Sequence, residues 1–99
     1  MRKISIAAAK ALKSGTYFKG NNTEVAGGHL SLHGNRMATF HNGKLEITNA
    51  GWQSNTTKER LNAILDAFDI PAGIYQKDWV WYYEDVAWDG KWKTVYQEH

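Results

Sequence analysis

Cysteine is absent from these 99 residues, and proline occurs once, at Pro71. A chain without cysteine has no disulfide framework, no thiol nucleophile and no cysteine-ligated zinc, a composition suited to a reducing compartment. Long hydrophobic runs are missing too. The best candidate, ISIAAAKAL after Arg2 and Lys3, is interrupted at Lys10 and leads to no small-residue cleavage site, so no secretory leader is expected. Nothing approaches the ~20 apolar residues of a membrane-spanning helix, so no membrane association is expected. There is no G-x-x-x-x-G-K phosphate loop. Ser5, Ser14, Ser31 and Ser54 lie outside any nucleophile elbow, and no carboxylate pair sits at two separated strand ends. These absences argue against an enzyme. His29 and His33 would project from one strand face with His41 ending the next stretch. A third ligand would have to come from Glu24 or Glu46 without recognisable spacing, so neither a metal nor a cofactor is expected.

An apolar content of 42% with interspersed charges describes a folded chain. Its length suits one domain, residues 1–99, around one core. The net charge of +2 is unevenly divided. Residues 1–51 carry seven bases against two acids, and residues 52–99 carry five bases against eight acids. A basic half can meet phosphate or an acidic protein face, but the chain lacks the strong positive field of a dedicated DNA binder.

Periodicity and turn chemistry predict the elements. Ser5 is placed to cap a first helix from about Ile6 to Ser14, ended by Gly15, with an apolar stripe thin enough to predict only light packing. After a turn at Gly20-Asn21-Asn22 come three strands: Thr23 to Ala26, His29 to Phe40 with an interruption, and Lys44 to Thr48. They are joined by the two-residue signals Gly27-Gly28 and Asn42-Gly43. Gly34-Asn35 reads either as a further hairpin turn or as a bulge. A simple turn would split the apolar residues between two faces, whereas a bulge keeps Val25, Leu30, Leu32, Ala38, Phe40, Leu45 and Ile47 on one, so the bulge is preferred.

The stretch from Ile47 to Leu65 is the most informative. Thr56 and Glu59 have capping-box spacing, and Leu61, Ile64, Leu65 and Phe68 mark one buried helical face, predicted to lie across the apolar face of the sheet. Lys58 and Arg60 stand in the first turn and Asp66 and Asp69 in the last, the reverse of what the helix dipole prefers. After Pro71 and Gly73, Trp79 to Tyr83 and Trp92 to Tyr96 read as two strands with Asp89-Gly90 as their turn, pairing Tyr83 with Tyr96 and Ala87 with Trp92. The predicted fold class is α+β: an antiparallel sheet made of a three-stranded meander plus a C-terminal aromatic hairpin, with two helices, in the order α-β-β-β-α-β-β.

Two surfaces stand out as candidate sites. The first is the aromatic tail, where Trp79, Trp81, Tyr83, Trp88 and Trp92 would anchor a protein partner and Glu84, Asp85 and Asp89 would steer a basic one. The second is the start of the second helix. Trp52, Asn55, Thr56, Thr57, Lys58 and Arg60 would hold an anion at free N–H groups, with the indole available to stack a base.

Three segments, GNNTEV (Gly20 to Val25), LHGNRMA (Leu32 to Ala38) and ITNAGWQSNTTKERLN (Ile47 to Asn62), resemble a group of small proteins encoded by tailed phages. The group's motifs run G-N-T-x-V, L-H-G-N-x-I-A and N-A-G-W-x-x-N-T-T-K-x-R-L-N. This chain departs from them in an inserted Asn21, Met37 for Ile, and Gln53 for Pro. No activity carries over from that group. What the resemblance implies is a phage origin and a small accessory role inside the host bacterial cytoplasm. Small size, the lack of a catalytic constellation and the acidic aromatic hairpin make the expected function a non-enzymatic protein that binds and inhibits a host bacterial protein, as an anti-defence, anti-CRISPR-like inhibitor would. The alternative is a nucleic-acid or nucleotide-phosphate binder using the second helix start, and a homodimer through the aromatic stripe is a third possibility.

Overall fold

A computed structural model describes residues 2–98. It is an α+β arrangement of two helices and two antiparallel sheets. Helix α1 spans Lys3–Ser14 and is followed by β1 (Phe18–Gly20), β2 (Thr23–Ala26), β3 (His29–Leu32), β4 (Asn35–His41) and β5 (Lys44–Ile47). Helix α2 spans Asn55–Ala67, and β6 (Ile74–Lys77), β7 (Val80–Tyr83), β8 (Val86–Ala87) and β9 (Lys93–Gln97) complete the chain. The first five strands and β9 form a six-stranded sheet in the order β1-β2-β3-β4-β5-β9, and β6-β7-β8 form a second, small sheet.

The meander has five strands before α2 where the sequence predicts three. The interruption after Leu32 is both a turn and a bulge. His33 and Gly34 make a two-residue hairpin with positive φ at both positions, and the register then slips so that Leu30 faces Ala38 while Ser31 faces Arg36. The turn alone would send Ala38 outward; the extra residue Met37 restores the parity. Leu30, Ala38 and Ile47 consequently share one face, as do Phe40 and Leu45, and the face predicted from the apolar pattern is the buried one.

The predicted C-terminal hairpin does not form. Trp81 and Tyr83 on β7 pair instead with Gln76 and Ile74 on β6, and Tyr96 on β9 faces Leu45 across the main sheet. Asp89-Gly90 is a crossing point rather than a hairpin turn. The Gly90 carbonyl accepts from the Thr48 hydroxyl at 2.5 Å and from Asn49 N–H at 2.9 Å, and a Cβ at Gly90 would stand 2.1 Å from Asn49 Nδ2. Glycine is needed there for close approach.

Both predicted caps move. Helix α1 starts before Ser5, which is buried on its inner face. Helix α2 is capped by Ser54, whose Oγ accepts from Thr57 N–H at 3.2 Å, and Glu59 is drawn away to accept from Arg2 N–H at 2.7 Å. Nor is α1 lightly packed. It buries Ser5, Ala8, Ala9, Ala11 and Leu12 and is the helix whose backbone approaches β1–β4. Helix α2 packs on α1 and β6 and reaches the main sheet through side chains, with Phe68 edge-on to Phe40 at 4.8 Å and against Tyr96 at 6.0 Å. One apolar cluster includes residues of both helices and both sheets.

Candidate functional site

The start of α2 is mostly scaffold. Arg60 is 2% exposed, with Nε donating to Thr23 Oγ1 at 3.0 Å, Nη1 to Ser5 Oγ, and Nη2 to Asn22 Oδ1 at 3.4 Å. Glu59 Oε2 lies 3.7 Å from Nη1. Burial pulls the Arg60 pKa down, Glu59 pushes it back up, and Arg2 lowers it further. Thr57 is buried beneath the cap, its hydroxyl 3.0 Å from Ser54 Oγ. Two of the six residues expected to hold an anion are therefore occupied within the chain and turned away from solvent. Lys58 donates to Gln76 Oε1 at 3.3 Å and lies 5.8 Å above the Trp81 ring. Asn55 is exposed and Thr56 half-buried. Trp52 is 52% exposed and stands 6.2 Å from the His33 ring.

The same stretch fastens the rest of the molecule. Thr48 and Asn49 hold Gly90, Arg60 ties α2 to α1 and to β2, and Asn62 clasps the edge of the small sheet, donating to Ile74 O at 2.9 Å and accepting from Ile74 N–H at 2.8 Å. The three sequence segments that carry the family resemblance meet here, through Asn22, His33, Trp52 and Arg60.

The aromatic tail divides by exposure. Trp81 and Tyr83 are 2% and 8% exposed, facing the core from β7. Burial, then Glu84, raises the Tyr83 pKa. Trp88 is half-buried and donates from Nε1 to Lys91 O at 3.0 Å. Trp79 is different: it lies in the β6–β7 turn, not in a strand, and is 89% exposed. Asp78 and Trp79 have φ of 52° and 70°, a two-residue turn with both centres left-handed, where Asn-Gly is the favoured pair. A bulky side chain at such φ is an outlier that costs of order 1–3 kcal/mol and marks functional positions more often than others.

Beside this indole lies a face of the small sheet that is not among the predicted site residues. Tyr75, Tyr82 and Ala87 stand in one cross-strand row with Lys77 and Val80 in the next. Tyr75 and Tyr82 stack at 5.1 Å with 14° between their planes. Tyr75 donates to Asp85 Oδ1 at 2.9 Å, a hydrogen bond that raises its pKa, with desolvation adding to the rise. The signal was present in the alternation of the run from Trp79 to Tyr83, which sends Val80 and Tyr82 to the side opposite Trp81. Acidic residues bracket the face, Asp78 at one turn and Glu84 and Asp85, with φ of 50° and 65°, at the other. Trp92, half exposed before β9, and Asp89, which accepts from Lys91 N–H at 2.9 Å, complete the predicted set.

Among the described residues no group of three His, Asp or Glu side chains is placed to hold a metal ion, and no helix is long and apolar enough to cross a membrane. What remains is a small α+β protein whose most prominent chemical feature is an exposed aromatic hairpin. The family model described as Kyanoviridae Gp96 protein matches residues 1–98, and the chain belongs to that family of small phage-encoded proteins. No curated protein and no solved structure matches the chain.

Proposed function

We propose that this phage protein is a non-enzymatic binding protein that docks on and inhibits a host bacterial protein inside the cell, in the manner of an anti-defence inhibitor. The observation that supports it best is Trp79: an indole almost wholly in solvent, held in a left-handed turn that glycine would fill at lower energy. Tyr75, Tyr82 and Val80 extend the apolar area beside it. Aromatic residues of this kind supply large contact area for little loss of rotamer freedom and form the hot spots of protein interfaces. Asp78, Glu84 and Asp85 around the patch suit a basic rim on the partner and disfavour a phosphate backbone. The anchors in this reading are Trp79, Val80, Tyr75 and Tyr82, because Trp81 and Tyr83 are committed to the core.

Affinity capture from host lysate tests the proposal. Tagged protein is incubated at low salt with and without nuclease. The expected result is a retained host protein that survives nuclease and is lost with Trp79→Gly. Retention that disappears with nuclease, or that is indifferent to Trp79→Gly, would count against it.

A further inference from the structure

A second surface lies on the helical side, away from the aromatic hairpin. Between α1 and α2 runs an open groove of about 560 Å³ whose apolar part is Ile6, Ala63 and Ala67. Ile6 is 41% exposed although its neighbours Ala8 and Ala9 are sealed. Lys10 and Lys13 of α1 stand on one side of this groove and Asp66 of α2 on the other. Each helix edge carries one sign. Exposed Lys3, Lys10 and Lys13 give α1 a basic edge, and Asp66 with Asp69 just beyond gives α2 an acidic one. The acids sit at the negative end of the α2 dipole, with no basic residue in that last turn. Among the described residues their one ion pair is Lys13 with a highly exposed Asp69, at 3.9 Å. Asp66 forms no ion pair among the described residues.

We infer that this groove is the contact surface for a second copy of the same chain. A two-fold axis running along the groove lays the basic edge of one α1 over the acidic edge of the other α2, and repeats the contact in the opposite sense. Lys10 of each copy then meets Asp66 of the other. The alanines allow the helices to approach closely, and the exposed Ile6 side chains become buried between them. The charge pattern that opposes the α2 dipole in the monomer is thereby answered by the second copy. A peptide of single sign would be repelled by one of the two edges. The surface is distinct from the aromatic hairpin, so a dimer leaves that hairpin free.

Charge reversal provides the test, read as molar mass by sedimentation equilibrium or light scattering. Wild-type protein is expected to dimerise at about 50 mM salt and to dissociate at least about tenfold more readily at about 500 mM. Lys10→Glu and Asp66→Lys, both at exposed positions, should each be monomeric because like charges then face each other in both contacts. An equimolar mixture of the two should recover the dimer mass, since each contact pairs opposite charges again. A wild type monomeric at low salt would overturn the inference. So would single variants that dimerise like wild type, or a mixture that stays monomeric although both variants keep the wild-type circular dichroism.

Discussion

Arg60 carries a guanidinium into the interior with no carboxylate in direct hydrogen-bonding contact. Neutral oxygens from three elements, on Ser5, Asn22 and Thr23, receive its donors. Removing the side chain takes the guanidinium donor from Ser5 Oγ and Thr23 Oγ1, leaves Asn22 Oδ1 with the Thr23 hydroxyl at 3.0 Å, and opens a void between α1, α2 and β2. Arg60→Ala is therefore expected to cost about 3 kcal/mol, read as a lower urea midpoint, and Arg60→Lys to recover only part because it lacks the planar fork. The residue type was legible as a charge in the first turn of a helix. Its direction was not, because nothing local distinguishes a cation facing solvent from one facing a strand 37 residues away.

His29 gives a residue-scale test of a different kind. Desolvation, then the charges of Arg36 and His41, lower its pKa below 6.5, and its Nδ1 is buried without a partner among the described residues. The fold thus favours the neutral ring. Its contribution to stability is complete above the ordinary value and is lost as pH falls through the depressed one. Urea midpoints should decline between about pH 7.5 and about pH 5.5, and His29→Gln should flatten that decline. An unchanged slope in the variant would remove His29 from the account.

Among the elements, hairpins decided what could be read. Gly27-Gly28 and Asn42-Gly43 announce their turns, and both are found with positive φ where predicted. The turns Asp78-Trp79 and Glu84-Asp85 have the same left-handed geometry without glycine or asparagine, so β6 and β8 carried no turn signal and escaped the sequence reading. Asp89-Gly90 misled in the opposite direction, because its glycine serves close approach to Asn49 rather than a hairpin. The apolar face of the meander was legible because burial enforces it through any combination of turn and bulge. If the Asp78-Trp79 turn is strained for the sake of the indole, Trp79→Gly should stabilise the protein by about 1 kcal/mol in urea unfolding. A destabilised variant would mean that Trp79 supports the fold.

For the whole molecule, the class α+β and the antiparallel pairing followed from pattern, while the assignment of β9 to the main sheet did not. Strand β9 lies 46 residues beyond the end of β5 in sequence, and its pairing is settled by Thr48 and Asn49 gripping Gly90, a contact that no periodicity encodes. The helix-start segment, the alternative site in the sequence, fastens the fold through Arg60 and Asn62, and Trp79 and Tyr75 are exposed on the hairpin of the small sheet that Asn62 holds. Trp79 and its neighbours are the proposed docking surface for a partner. The most direct measurement is the affinity of the captured host protein for wild type and for Trp79→Gly by calorimetry. A hot spot predicts at least about a 30-fold loss in the variant, whereas equal affinities would contradict the account.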